Sequence, residues 1–133
     1  MKKEKVYDEL KKIAKNAYVP YSNFKVSCAI YLNNQKKILG VNVENAAYNP
    51  TICAERTAIS QMITQGYKKD DVKLVALYTD STEFGSPCGT CRQTLIELLN
   101  PSQILWIFNK NNYVGEFRID SFLPYSFTSK DLK

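Results

Sequence analysis

The chain contains no histidine. That removes the side chain most often used as a general base near neutral pH, and the usual neutral nitrogen ligand for a metal. Proton transfer must therefore fall to Glu, Asp, Lys, Cys or Tyr. Long apolar runs are missing as well. The longest, Ile104–Phe108, falls far short of the ~20 residues that span a bilayer. Near the N-terminus, Lys2 and Lys3 are followed by Glu4, Lys5 and Asp8, where a signal peptide needs an apolar stretch. No repeat, linker or low-complexity stretch interrupts the sequence. These absences lead us to expect one cytoplasmic domain with no membrane partner.

The 133 residues present can bury one core, and a balance of 44% hydrophobic to 23% charged residues is that of an ordinary globular protein. The net charge of +5 raises the question of nucleic-acid binding. The lysines are scattered in pairs, however (Lys11 and Lys12, Lys36 and Lys37, Lys68 and Lys69), and read as solvated helix faces and turn tips. No nucleic-acid partner is expected.

Residues 4–17 carry Val6, Leu10, Ile13, Ala14 and Ala17 at steps of three and four, which predicts an amphipathic helix ending before Pro20. Phe24–Leu32 and Lys37–Val43 read as strands joined through the Asn33-Asn34 turn. Helices are predicted over Cys53–Gln65, with Gly66 as its stop, and over Cys88–Leu99, halted by Asn100-Pro101. Val72–Tyr78, Ile104–Phe108 and Tyr113–Ile119 complete the strands. This order predicts an α/β sandwich around a mixed sheet. The N-termini of the two later helices are expected to meet at the carboxyl ends of strands, where ligands bind in open α/β sheets.

The four cysteines, in a chain expected to be cytosolic, point to metal or redox chemistry rather than to disulfides. Cys88-Gly89-Thr90-Cys91 at a helix start fits either a metal grip or a redox pair, because a helix N-terminus favours a thiolate. Cys53-Ala54-Glu55 adds a third thiol at a second helix start, with a carboxylate two residues on. Three ligands and an open position describe a catalytic zinc; a structural zinc is closed by four. Cys28, between Val26 and Ile30, reads as a buried, inert thiol. Residues two apart in mid-helix point to nearly opposite sides, so Cys53 and Glu55 share a site only if Cys53 lies where the backbone enters the helix. Arg56 is placed either to donate to a cysteine sulfur or to pair with a surface carboxylate. Two rival readings stay open here: a thiol oxidoreductase using Cys88 and Cys91, and a structural zinc module.

Three spaced segments resemble cytidine deaminases of the short-chain, zinc-dependent type. They are Asn42-Val43-Glu44-Asn45-Ala46-Ala47-Tyr48, Cys53-Ala54-Glu55-Arg56-Thr57-Ala58 and Ser86-Pro87-Cys88-Gly89-Thr90-Cys91-Arg92-Gln93. Pro20–Phe24 and Leu123–Phe127 are similar to that family too, so the likeness covers most of the chain. It implies a single domain over residues 1–133, folded as a three-layer α/β/α sandwich around a mixed five-stranded sheet. It implies hydrolytic deamination of cytidine and deoxycytidine to uridine and deoxyuridine with release of ammonia, as in pyrimidine salvage. One Zn²⁺ per chain would be held by Cys53, Cys88 and Cys91, with Glu55 carrying protons and not ligating, an arrangement general to zinc deaminases. Arg56 would offset the thiolate charge. By the same resemblance, Asn42 and Glu44 bond the ribose hydroxyl, Phe24 stacks on the pyrimidine and the Ala54 backbone meets the base. The small-molecule nucleoside is then the partner, together with the other subunits of a homotetramer in which Phe127 reaches a neighbour's site. Lys25 and Ser27 depart from the family pattern, which favours proline and glycine there, and both lie beside Phe24.

Overall fold

The structure is a computed structural model that describes residues 1–132. Its elements are α1 (Lys3–Ala14), β1 (Val26–Leu32), β2 (Lys37–Val41), α2 (Ala54–Thr64), β3 (Val72–Thr79), α3 (Gly89–Leu98), β4 (Ile104–Asn109) and β5 (Asn112–Arg118), with short 3-10 turns at Lys69–Asp71, Ile119–Phe122 and Ser129–Leu132. The five strands form one sheet in the order β2-β1-β3-β4-β5. Only β3 and β4 run parallel, joined through α3, so the sheet is mixed as expected.

Side chains alternate across the sheet and build two separate cores. Cys28, Ile30, Val75, Leu77, Leu105 and Ile107 face α2 and α3, which contribute Ala54, Ala58, Ile59, Met62, Leu95 and Ile96. The intervening Ala29, Tyr31, Ala76, Tyr78, Trp106 and Phe108 face α1, which contributes Val6, Tyr7, Leu10 and Ala14. The result is the three-layer sandwich.

Element ends shift where polar backbone finds other partners. The helix expected to reach residue 17 stops at Ala14, because Tyr18 bridges to Val43: its N–H donates to the Asn42 carbonyl at 3.0 Å, and its carbonyl accepts from Glu44 N–H at 2.8 Å. β1 starts two residues later than predicted. The Phe24 carbonyl accepts from Asn42 Nδ2 at 2.8 Å, the Val26 N–H donates to Asn42 Oδ1 at 2.9 Å, and Asn23 turns the chain with a left-handed φ of 57°. These shifts converge on one end of the sheet, where β1 begins and β2 and β3 finish.

Candidate active site

Both metal-site helices begin at a cysteine. Cys53 is the N-cap of α2 and Cys88 the N-cap of α3, each with extended backbone dihedrals (φ −72°, ψ 154° and φ −68°, ψ 168°). The extended N-cap resolves the spacing problem, because Cys53 lies just outside the helix and Glu55 just inside. Cys91, three residues into the second motif, is buried and turns back toward Cys88. The sulfurs of Cys53, Cys88 and Cys91 all lie within 4.8 Å of one another. Cys53 Sγ and Cys88 Sγ are 3.7 Å apart. Two thiolates on one tetrahedral zinc, each at ~2.3 Å, stand about 3.8 Å apart, so the trio has the spacing of a zinc site. Cys28 is buried in the sheet and is not one of the three.

The charges around the sulfurs fit a cation. Cys53 is drawn down to about 5, chiefly by a hydrogen bond from the Cys91 thiol and then by Arg56 and Cys88. The same bond, with burial, pushes Cys91 up. One sulfur of the trio is thus favoured as a thiolate, and holding all three as thiolates together calls for a cation between them. Arg56 Nη2 lies 3.8 Å from Cys53 Sγ and donates to the Thr51 carbonyl at 3.3 Å, while its buried Nε has no hydrogen-bond partner. Zinc therefore suits the donor set: thiolates as ligands, and a guanidinium beside them.

Glu55 is 4% exposed. Burial, and then the negative charge of Cys53, push its carboxyl up to about 7. It lines a 220 Å³ cavity together with Phe24, Asn42, Glu44, Ala54, Leu77, Cys53 and Cys88. Two of the expected binding residues already have partners here. Asn42 staples Phe24 to Val26, keeping one N–H and one lone pair free. Glu44 accepts from the backbone N–H groups of Tyr21 and Ser22 at 3.1 and 3.2 Å and from the Ser22 hydroxyl, which together hold its carboxyl below the usual range.

Residues 1–106 match the family model described as the cytidine and deoxycytidylate deaminase zinc-binding region. The chain belongs to this deaminase family. It is similar to a cytidine deaminase of Mycoplasma genitalium, 41% identical over 124 residues that make up 93% of this chain and 94% of the relative. A cytidine deaminase of Sporosarcina psychrophila is 37% identical over 97% of this chain and 93% of its own length. Among solved structures, the cytidine deaminase of Burkholderia pseudomallei superposes with a TM-score of 0.90 at 35% identity, covering 96% of this chain and 100% of that one.

Within that deaminase fold, Phe127 lies apart from the other expected site residues. It is 56% exposed, does not line its own chain's cavity, and is fixed through its carbonyl, which accepts from Gln93 Nε2 at 2.8 Å. Lys25 and Ser27 point away from the cavity. Lys25 joins Lys11, Lys12 and Lys15 in a cleft on the α1 side, and the Ser27 hydroxyl donates to the Leu10 carbonyl at 2.7 Å. The family departures at these positions leave the cavity walls intact.

Sequence reasoning missed Gly40. A Cβ there would stand 2.7 Å from both the Ala54 carbonyl oxygen and the Ala58 nitrogen. At Gly40, β2 and the start of α2 approach backbone to backbone, which brings Cys53 and Glu55 down to the sheet edge. A glycine inside a predicted strand is a signal for such an approach, and it was present in the sequence. Ser86, Thr51 and Ile52 also line the cavity and were not singled out.

Proposed function

We propose that the chain hydrolyses cytidine and deoxycytidine to uridine and deoxyuridine, releasing ammonia. The observation that carries this reading is the convergence of three cysteine sulfurs with a buried carboxyl beside a cavity that Cys53, Cys88 and Glu55 help to line. Cys53, Cys88 and Cys91 hold the zinc, and the Arg56 guanidinium beside Cys53 offsets the net negative charge of three thiolates on a divalent ion. When bound, zinc supplies Lewis acidity that brings the pKa of a water to about 7. Glu55 takes a proton from the attacking water and delivers it to ring N3, which makes C4 more electrophilic. The water oxygen bonds to C4. Glu55 then moves the second proton to the departing amino group, the C4–N bond breaks, and the carbonyl of uracil remains. Phe24 stacks against the pyrimidine, the backbone at Ala54 meets its edge, and Asn42 and Glu44 bond the ribose hydroxyl. A site with such groups disfavours the free base, which leaves them unpaired.

The family model spans nucleoside and nucleotide deaminases, and charge favours the nucleoside. Among the described residues, no lysine or arginine lines the cavity or the 390 Å³ cleft beside it, which shares Glu44 and Thr51. A 5′-phosphate would meet the Glu44 carboxylate with no cation to hold it. A redox role for Cys88 and Cys91 is less favoured, since it leaves Cys53, 3.7 Å from Cys88, without a task.

We also infer a homotetramer in which Phe127 enters a neighbour's site. The exposure of Tyr18, Tyr21, Tyr48, Ile52, Tyr125 and Phe127 supports it, because aromatic side chains are enriched in interfaces. A single domain over residues 1–133, working in the reducing cytoplasm where free thiols persist, completes the reading. Ammonia release from cytidine, deoxycytidine, cytosine and deoxycytidine 5′-monophosphate, with zinc assayed in parallel, tests it. Turnover of the two nucleosides is expected, with little of the base or the nucleotide. Preferred turnover of the nucleotide would overturn the substrate assignment.

A further inference from the structure

The zinc reading leaves Arg92 without a task, although it lies one residue beyond Cys91 and makes the most connected side-chain cluster near the metal helices. From the first turn of α3 its side chain folds back over the helix N-terminus, the direction helical side chains favour. Nε donates to the Pro87 carbonyl at 2.7 Å, Nη2 to the Ser86 hydroxyl at 2.9 Å and Nη1 to the Phe122 carbonyl at 2.9 Å. The guanidinium carbon also lies 5.3 Å from the centre of the Phe122 ring. Three directions of the planar fork are thus engaged by two segments far apart in sequence: the two residues just before Cys88, and the 3-10 turn Ile119–Phe122. A cation at a helix N-terminus opposes the helix dipole, so surface electrostatics alone would not select one here.

The consequence falls on Cys88. This residue is exposed, caps α3 without a side-chain hydrogen bond to the helix N–H groups, and follows a loop without regular structure from Asp80 to Pro87. Its backbone is fixed on the helix side by the Arg92 N–H, which donates to the Cys88 carbonyl at 2.8 Å. On the loop side it is fixed by the Arg92 guanidinium through Pro87 and Ser86. One residue therefore clamps the chain both before and after a metal ligand.

We propose that Arg92 is a positioning residue that presents Cys88 to the metal by tying the Ser86–Pro87 segment and the Phe122 carbonyl to the start of α3. This rests on the zinc reading above. A lysine at this position keeps the charge but cannot make three bonds in one plane. Outer partners of metal ligands typically govern affinity by about ten- to hundredfold.

The test compares zinc-loaded wild type with Arg92→Lys, Arg92→Gln and Gln93→Ala. Gln93→Ala breaks the other link from α3 to the C-terminal segment, the bond to the Phe127 carbonyl, and serves as the control for general loosening. Zinc transfer to a chromogenic chelator gives the release rate, and the visible spectrum of the cobalt-substituted proteins reports ligand geometry. Thermal unfolding checks that each variant is folded. We expect both Arg92 variants to release zinc at least about tenfold faster than wild type and to show altered cobalt bands, with Gln93→Ala close to wild type. If Arg92→Gln fails to fold, Arg92→Lys decides alone. Folded Arg92 variants with wild-type release and spectra would overturn the proposal, as would Gln93→Ala releasing zinc as fast as they do. Wild-type protein that takes up no zinc would instead sink the zinc reading itself, so the two failures are distinguishable.

Discussion

The two faces of the sheet are packed to different ends. The α1 face is filled with bulk: Tyr7 stacks on Phe108 at 5.5 Å between ring centres, and Tyr31, Tyr78 and Trp106 close the layer. The face under α2 and α3 is built near the site from small residues, with Gly40, Ala54 and Ala58 in direct contact. The difference is one of reach. Large side chains hold a helix away from a sheet, whereas small ones let the start of α2 come down to the strand ends and put a thiol and a carboxyl there. The first face serves packing alone, whereas the second, bulky elsewhere, gives up bulk beside the site for the placement of reactive groups.

Breaking the second face at its chemistry should produce the largest effect. Glu55→Gln should lose roughly 10²–10⁴-fold in kcat while retaining one zinc per chain, measured by ammonia release and metal analysis on the same preparation. Near-normal turnover in that variant would remove Glu55 as the proton carrier. Breaking the first face should cost stability and leave chemistry alone. Phe108→Ala should lose about 3–5 kcal/mol in denaturant unfolding, with zinc content and turnover per folded molecule unchanged.

The smaller predictions sharpen the contrast. Gly40→Ala adds a single methyl where backbone already fills the space, so it should cost about 1–3 kcal/mol and lower kcat as well, by displacing the start of α2. An effect on stability without one on turnover would show that the close approach does not position the site. The smallest effect belongs to the rim of the α1 face. Burial pushes the Glu9 carboxyl up, but hydrogen bonds from Lys37 and Tyr31 outweigh it, and its pKa ends below the ordinary 4.5. A lowered carboxyl contributes stability above its unfolded pKa and loses it as pH falls through the folded one. Glu9→Gln should therefore flatten the fall in stability below about pH 4.5 slightly, without changing it below the folded pKa, as read from unfolding midpoints against pH.

Much of the α1 face and the metal trio was legible in the sequence, for simple reasons. Periodic apolar residues such as Val6, Leu10 and Ala14 report one helix face directly, and cysteines at two helix starts leave few other tasks. What stayed hidden depends on tertiary contact. Nothing local says that Asn42 spends two of its bonds on Phe24 and Val26, or that Glu44 is held by Tyr21 and Ser22 across a turn. Nor does local sequence tell that Lys25 and Ser27, flanking the pocket residue Val26, face α1, which follows only once strand alternation is anchored. Arg92 was visible as part of a motif, but its three acceptors lie in segments up to 30 residues away.

The central claim is a metal held by three sulfurs with one position left open. X-ray absorption at the zinc edge of the purified protein measures this directly. Three sulfur neighbours and one lighter atom are predicted at each zinc. A shell of four sulfurs, which would require Cys28 to leave the core and close the site, would contradict the account.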